Sequence, residues 1–227
     1  MKKVVCFFSF IGIINSQAAD FNFHSNKPER SKSISNNTSF WLSEILIINP
    51  MDDSRLTIGF GHSISISKIN ERHWFLPNFG FGYKISNNLA LTGKAYGFLT
   101  KNENPQVTGG GLQYFIGEKE KEKEKDFVFA IDKSNLRGLK DFRLSCLTID
   151  IQKWKKRGNI ILNIGFGSNF FKEVTHGAVI ETPKKIEGQT NFFSFSLIKN
   201  IYGTVLGGRL KYHPKRYYFS WFIQKNF

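Results

Sequence analysis

The residue types that most often carry chemistry show no recognisable pattern in this 227-residue chain. Metal sites need histidine, cysteine or carboxylate ligands at characteristic short spacings. The five histidines have no such spacing; they are His24, His62, His73, His176 and His213. Cys146 has no cysteine nearby with which to share a metal ion. We therefore expect no metal site, no cofactor and no catalytic residues, and we interpret the protein as one that is not an enzyme.

Charge defines a second set of candidate residues. The chain carries 32 Lys and Arg against 18 Asp and Glu, a formal net charge of +14. Nucleic acid is the usual partner of so basic a protein, but the basic residues are scattered over the chain, so no nucleic-acid partner is expected. Five of them fall on the polar side of alternating segments and are predicted to line an interior beside Asp132 and Asp150: Lys84, Lys94, Arg143, Arg209 and Lys211.

Alternation of apolar and polar residues positions these side chains and continues from residue 56 to residue 227. Leu56, Ile58 and Phe60, for example, alternate with Thr57 and Gly59. Successive side chains of a β-strand point to opposite faces, so each such segment predicts a strand with one apolar face. Ten segments are predicted, each near the roughly 9–11 residues that cross a bilayer as a tilted strand. Eight and twelve strands are the alternatives.

One predicted strand, residues 141–154, changes phase in its middle. Phe142 and Leu144 occupy one set of alternate positions, whereas the later apolar residues occupy the other. A β-bulge at residues 145–146 would keep all of these apolar side chains on one face. This interpretation places Arg143 in the interior.

The end of the chain, residues 217–227, is an alternating segment that stops at a phenylalanine. Its aromatic face would need a cover in water but needs none when lipid is the solvent. Lys225 interrupts the apolar series near the end, where its long stem can reach polar surroundings. The side chains predicted to share the lipid-facing side, and to form the assembly signal, are Tyr217, Phe219, Trp221, Ile223 and Phe227.

Residues 1–18 have the form of a secretory signal peptide, with Lys2 and Lys3 before a short apolar run and a small-residue exit ending at Ala18. Cleavage there would lower the formal charge by two and remove Cys6. Cys146 would then be the single cysteine, so no intramolecular disulfide is expected.

Residues 19–55 are predicted to form a separate N-terminal segment, either periplasmic or folded into the interior as a plug. The part from residue 20 to residue 39 is polar and turn-rich. The part from Phe40 to Ile48 fits an amphipathic helix, an extra strand or a segment inside the interior, and the pattern does not choose among them.

Hydropathy alone would suggest a water-soluble protein, because the mean hydropathy is −0.28. Transmembrane barrels escape this measure because lumen and lipid positions alternate along each strand. The rival fold is a soluble β-sandwich or lipocalin-like barrel, which produces the same alternation. Against it stand the small residues at interior positions, the aromatic residues near strand ends and the aromatic last strand. The sequence therefore predicts an all-β, antiparallel transmembrane barrel at residues 56–227.

Passages such as Phe79-Gly-Phe-Gly-Tyr-Lys-Ile-Ser-Asn-Asn-Leu89, together with the terminal strand, resemble the small bacterial outer-membrane β-barrels of the porin, OmpA and OmpW-like class. The resemblance covers residues 56–227 and rests on pattern. It implies a location in the bacterial outer membrane, with lipid and lipopolysaccharide around the barrel and at its rim. It also implies that the barrel-assembly machinery reads the terminal aromatic signal.

Enzymes of the same membrane were compared by motif. A lipid A deacylase needs His and Ser two residues apart on one strand face, but Ile64 stands two residues after His62. An omptin-type protease needs paired acids and a His–Asp couple; Glu173 and His176 lie in a suitable region without the paired Asp. The similarity to a lipid A palmitoyltransferase is limited to the amphipathic segment before the barrel. A lipid A-modifying enzyme is therefore the lowest-ranked alternative.

Two functions remain for such a barrel. The first is a passive conduit for small solutes, with a mildly basic lumen left open by small interior residues. The second is a non-conducting structural or surface-interaction barrel, whose lumen is plugged and whose loops do the work. Ten strands lie between the filled and the open size classes, so the strand count does not decide. The sequence slightly favours the conduit and leaves the oligomeric state open.

Overall fold

The computed structural model describes residues 19–23, 28–100, 103–117, 126–176 and 184–227. The predicted signal peptide and the charged stretch 118–125 lie outside these ranges. Within these ranges, the helix α1 (Pro28–Leu42) precedes ten strands. The strands are β1 (Leu56–Ser65), β2 (Phe75–Lys84), β3 (Leu89–Gly97), β4 (Gln106–Ile116), β5 (Phe127–Arg137), β6 (Phe142–Arg157), β7 (Ile160–Thr175), β8 (Lys185–Ile201), β9 (Thr204–His213) and β10 (Arg216–Asn226).

The strands form one closed antiparallel barrel in which each strand pairs with its neighbours in sequence. β1 and β10 close the barrel in a register that places Ser63 opposite Ser220. Beyond the last ladder pair, the Phe227 N–H donates to the Leu56 carbonyl at 2.8 Å. The prediction of a ten-stranded antiparallel barrel is confirmed, and the soluble sandwich is excluded because the sheet closes on itself.

Several strands are longer than the sequence predicts. Apolar alternation over Phe127, Phe129 and Ile131 predicts only a short strand, but β5 has 11 residues, and β8 has 17. The sequence pattern predicts a long extracellular loop at residues 172–189, but β7 continues to Thr175 and β8 starts at Lys185. Polar residues occupy these extensions, which is why apolar alternation alone did not find them.

The outward face of the barrel is an apolar belt. Large side chains exposed on this face include Phe60, Phe81, Phe166, Phe195 and Leu197, each more than 40% exposed. Their neighbours in sequence point inward and are largely buried, as on β7 and β8. Inversion of the usual burial pattern, with aromatic residues outside, is what a bilayer solvent requires. Among the described residues, no helix is long and apolar enough to cross a membrane.

The two ends of the barrel differ in their connections. Gly158 and Asn159 join β6 to β7, and Tyr202 and Gly203 join β8 to β9. Gly158, Tyr202 and Gly203 have positive φ angles of 59°, 50° and 75°, as tight hairpin turns need. The opposite end has the longer connections 66–74, 98–105 and 176–184 and one two-residue exception, Pro214 and Lys215, whereas residues 117–126 are the long exception at this end. Short turns are mostly periplasmic in outer-membrane barrels, so we call this the periplasmic end. β1 begins there and β10 ends there.

The predicted β-bulge in β6 is wrong. The β6–β7 ladder runs without interruption from Phe142 to Arg157, and the burial of β6 alternates regularly over its first fourteen positions. Phe142 and Leu144 therefore face inward, where they pack against the N-terminal segment. Both faces of this strand carry apolar residues because one meets lipid and the other meets that segment.

Candidate functional site: the plugged lumen

The N-terminal segment fills the barrel, and we call its described part, residues 19–23 and 28–55, the plug. Its first residues lie at the extracellular end, where the Phe23 N–H donates to the Asp141 carboxylate at 2.7 Å. Phe21 packs edge-to-face on Trp74, at 5.1 Å between ring centroids. The chain then passes through α1 and descends to the periplasmic end, where it enters β1.

Helix α1 depends on the barrel for its stability. It begins with a proline and has Glu29 in its first turn, both favourable at a helix N-terminus. Its middle is Ser-Lys-Ser-Ile-Ser-Asn-Asn-Thr-Ser, and Ser, Asn and Thr are weak helix formers. A helix of this composition and length is marginal alone in water. Burial inside the barrel stabilises this helix, because its intrinsic helix propensity is too low to do so.

An apolar cluster at the extracellular half of the lumen seals the end of α1. Phe40 packs edge-to-face against Phe192 at 5.9 Å and Tyr218 at 5.6 Å. Trp41 packs against Phe98 at 5.7 Å, and its indole N–H donates to Asn78 Oδ1 at 3.0 Å. Aromatic pairs of this kind add to the free energy gained by burial.

A second apolar cluster closes the periplasmic half. Ile47 and Ile48 are buried there with Phe115 and Trp154 among their cluster partners. Glycines of the wall make room for the plug: a Cβ at Gly82 would lie 2.5 Å from Ile48 Cδ1. Small wall residues that were interpreted as space for solutes are therefore, at such positions, space for plug side chains.

Between the two clusters, the wall caps the C-terminal end of α1. The last carbonyls of a helix have no partner within the helix, and cations are favourable beside them. Lys94 Nζ donates to the Leu42 carbonyl at 3.1 Å, and Lys211 Nζ donates to the Phe40 carbonyl at 3.3 Å. Asn169 donates to the Ser39 carbonyl at 3.0 Å. The last turn of α1 has no basic residue of its own, so the barrel supplies the charge.

Glu44, just after α1, completes this polar belt. Its carboxylate lies 3.3 Å from Arg209 Nη1 and 3.8 Å from Lys211 Nζ. Arg209 also donates to the Ile45 carbonyl at 3.2 Å and to Ser196 Oγ at 3.1 Å. Lys94 forms an ion pair with Asp132 at 2.8 Å. Buried charges are tolerated when each has such partners.

Lys84 holds the plug at the periplasmic end. Its ammonium group donates to the Asn49 carbonyl at 2.8 Å and to the Asp52 carbonyl. The Asp52 side chain accepts the Ser54 N–H at 2.9 Å and an Asn226 amide N–H at 2.7 Å. Burial acts to raise the pKa of Asp52, but these hydrogen bonds and the Lys84 charge outweigh it and hold the pKa below its ordinary value.

Of the five basic residues predicted in the interior, Lys84, Lys94, Arg209 and Lys211 lie there, each at least 90% buried. Arg143 does not: it is exposed on the outward face of β6. The absence of the bulge is the reason, since regular alternation puts Arg143 opposite in direction to Phe142 and Leu144. The predicted interior acids Asp132 and Asp150 are both buried in the wall.

A polar network lies in the wall beside the plug. Gln152 donates to Asp150 Oδ2 at 2.7 Å and accepts an Asn163 amide N–H at 2.6 Å. A cavity of about 50 Å³ lies between the described part of the plug and strands β1, β2, β3 and β10. That volume has room for only a few water molecules.

Other chemistry-bearing residues are dispersed. His62 faces outward, stacked on Phe75 at 4.3 Å and beside Trp221 at 5.1 Å. Cys146 is buried in the wall. No group of three His, Cys, Asp or Glu in the described ranges is arranged to hold a metal ion.

Sequence reasoning missed the partners of the interior cations. Glu44 and the carbonyls of Phe40, Leu42 and Ile45 are plug atoms, and their neighbours in the wall are distant in sequence. The one available signal was an excess of interior cations over interior acids on the strands, which called for anionic or carbonyl partners from elsewhere in the chain.

A closed barrel with an apolar belt outside and buried charged residues inside defines the class of this protein: it is a transmembrane β-barrel of the bacterial outer-membrane type. The closed sheet and the outward apolar belt confirm the prediction of this class, and a location in the outer membrane is what such a barrel implies.

Comparisons with known proteins found solved structures of low similarity to this chain. A bacterial polysaccharide outer membrane secretin is 5% identical with a TM-score of 0.42, over 78% of this chain and 99% of that chain. The KdgM porin in complex with disordered oligogalacturonate is 7% identical with a TM-score of 0.40, over 75% and 99%. Neisserial surface protein A is 11% identical with a TM-score of 0.34, over 76% and 96%. No family model and no curated protein matches the chain. These similarities are too low to support an inference about function.

Proposed function

We propose that this protein is a non-conducting outer-membrane barrel whose work is done at its extracellular surface, with the plug as a permanent part of its core. The observation that carries the proposal is the use of the interior cations. Lys84, Lys94, Arg209 and Lys211 all donate hydrogen bonds to plug atoms. They are structural partners of the plug and are not free to bind a passing anion.

The cost of removing the plug supports the same function. A hydrogen bond to a charged group contributes about 1.5–3 kcal/mol, and a buried charge that loses its partner costs about 3–5 kcal/mol. Lys94 donates to the Glu44 carbonyl at 2.6 Å and Lys211 to Ser43 Oγ at 2.5 Å. Undocking the plug would break several such contacts at once and expose both apolar clusters.

The passive conduit stays a prediction that requires the plug to leave. What favours it is the polar wall behind the plug, where Ser194, Ser196 and Asn163 are buried. In an emptied barrel these residues would face water.

Planar-bilayer conductance tests the choice. The full protein is compared with a variant lacking residues 20–50 and with Glu44→Gln, which weakens plug contacts without removing the plug. Folding of each variant is checked by its faster migration when unboiled on a detergent gel. We expect no conductance steps from the full protein, and steps from the deletion variant if it folds.

Glu44→Gln keeps the test decisive if the deletion variant does not fold. Brief, infrequent steps from Glu44→Gln with a silent parent protein would support a plug that closes the lumen. Sustained steps from the unaltered protein would overturn the proposal in favour of the conduit.

A further inference from the structure

A cluster of cations lies on the outward face of the barrel at its extracellular end, and we call it the basic patch. It consists of Lys133 and Arg137 on β5, Arg143 on β6 and Lys172 on β7, all exposed. Within the described residues none of the four forms an ion pair. The acid described on the neighbouring outward face is Glu187, which pairs with Lys185 at 2.6 Å and lies opposite Lys172 in the β7–β8 register.

Strand register brings the patch together. Arg143 lies opposite Val174, and Ser145 lies opposite Lys172, so Arg143 and Lys172 are diagonal neighbours on one face. Continuing the β5–β6 register one step beyond the Leu136–Leu144 pair puts Arg137 beside Arg143. Side chains opposite each other on a sheet face are about 4.5–5.5 Å apart at Cβ. Two guanidinium groups and an ammonium group can therefore converge on one ligand.

A groove lies between these cations. It has a volume of about 200 Å³, and its lining includes Asn135, Arg137, Arg143, Ser145 and Lys172. Guanidinium groups bind phosphate oxygens in a bidentate manner, and hydroxyl and amide groups add further donors. The lining of this groove includes no carboxylate. Its chemistry fits a phosphate group.

A second groove, of about 600 Å³, adjoins the first on its membrane side and shares Ser145 and Lys172 with it. Its lining includes Leu147 and Phe170 together with Lys133 and Glu187. Below it, the outward side chains of β6 are Ile149 and Ile151, which belong to the apolar belt. The surface is thus basic toward the extracellular end of the barrel and apolar toward the middle of the membrane.

The height of the patch matches a lipid head group. β6 and β7 have 16 residues each, whereas about 9–11 residues suffice to cross the hydrocarbon. About 5–7 residues of each strand therefore lie outside the hydrocarbon, and Arg143 and Lys172 lie near the extracellular ends of these strands. Lys172 and Arg143 are respectively two and four residues from Phe170 and Leu147, the last large apolar outward residues of β7 and β6.

We infer that the basic patch is a binding site for the phosphate of a phosphorylated glycolipid of the outer leaflet, the lipid A part of lipopolysaccharide. Arg137, Arg143 and Lys172 hold the phosphate, and Leu147 and Phe170 pack against an acyl chain of the same molecule. The site lies on the lipid side of the wall. It rests on the outer-membrane location and is independent of whether the lumen conducts.

Binding of bis-phosphorylated lipid A to the purified, detergent-solubilised protein tests this site. The double variant Arg143→Gln with Lys172→Gln is compared with a matched control, Lys155→Gln with Arg157→Gln. Both pairs remove one Arg and one Lys from the outward surface, but the control pair lies at the periplasmic end of β6. Unboiled gel migration shows that each variant is folded.

We expect the patch variant to bind bis-phosphorylated lipid A about tenfold or more weakly, with the control pair unchanged. The parent protein should also prefer bis-phosphorylated over dephosphorylated lipid A. Equal loss in both variants, or equal binding of the dephosphorylated lipid, would overturn the assignment. Displacement of lipid A by millimolar inorganic phosphate would show a simple anion site and would overturn the glycolipid assignment too.

Discussion

Glu44 supplies a negative charge to the interior of the barrel, where it lies close to two cations of the wall. It is the plug carboxylate that faces both Arg209 and Lys211, and its side chain is only 12% exposed. Two wall cations that would repel each other in an empty lumen are held near one acid. At the scale of single residues, the plug therefore provides a counter-ion for the wall cations in addition to occupying space in the lumen.

Glu44→Gln should therefore lower the thermal unfolding midpoint in detergent, since removing one partner of a buried ion pair costs about 3–5 kcal/mol. Circular dichroism on heating measures the change. Glu187→Gln is the control, because its ion pair with Lys185 is exposed on both sides and should leave the midpoint where it is. Equal midpoints for parent and Glu44→Gln would show that the interior pair contributes nothing.

Asp52 should make stability depend on pH in the acid range. Its pKa is lowered in the folded protein, so its contribution is present above the pKa of the unfolded chain, about 3.9. The contribution is lost as pH falls through the lower, folded pKa. The difference in midpoint between the parent and Asp52→Asn should therefore be largest near neutral pH and shrink below about pH 4. A constant difference from pH 7 to pH 3 would contradict this linkage.

At the scale of elements, β10 shows most clearly how the side chains that face lipid differ from those that face the lumen. Phe219 is exposed on the lipid side, whereas Tyr218 and Ser220 are buried inside. Trp221 faces the lipid beside Phe60 and His62. The terminal strand is therefore part of the belt as well as the closing partner of β1.

Trp221→Arg should impair assembly, because a charge facing the bilayer midplane costs about 2–4 kcal/mol. The same arginine at Tyr217, near the extracellular end of β10, should cost much less. Deletion of Phe227 is also expected to slow insertion, by resemblance to the class. The fraction of heat-modifiable protein in outer-membrane preparations measures all three variants. Full assembly of Trp221→Arg would mean that the outward face is misassigned.

At the scale of the whole molecule, the plug runs the length of the lumen. Phe23 lies at the extracellular loops beside Asp141 and Phe142, whereas β1 begins at the periplasmic end. The plug is continuous with β1, and its contacts with the wall extend through both halves of the lumen.

The path predicts which plug residues are reachable from outside. In a Cys146→Ser background, a cysteine at Asn22 should react with a membrane-impermeant maleimide on intact cells. A cysteine at Asp53, near the start of β1, should react only after the outer membrane is permeabilised. Labelling of the Asp53 variant alone, or of neither variant without permeabilisation, would contradict the threaded path.

The sequence by itself predicted ten strands and the apolar outward face of most of them, because alternation is local and lipid selects the same residue types along every strand. It did not determine the direction of Arg143, because β6 is apolar on both faces and only the plug explains the inner one. Nor did it determine the helix α1 or the partners of Lys94, Arg209 and Lys211. Those depend on a weak helix gaining stability from burial, and on contacts between residues far apart in sequence. Only the tertiary structure showed that residues 19–23 and 28–55 lie inside the barrel.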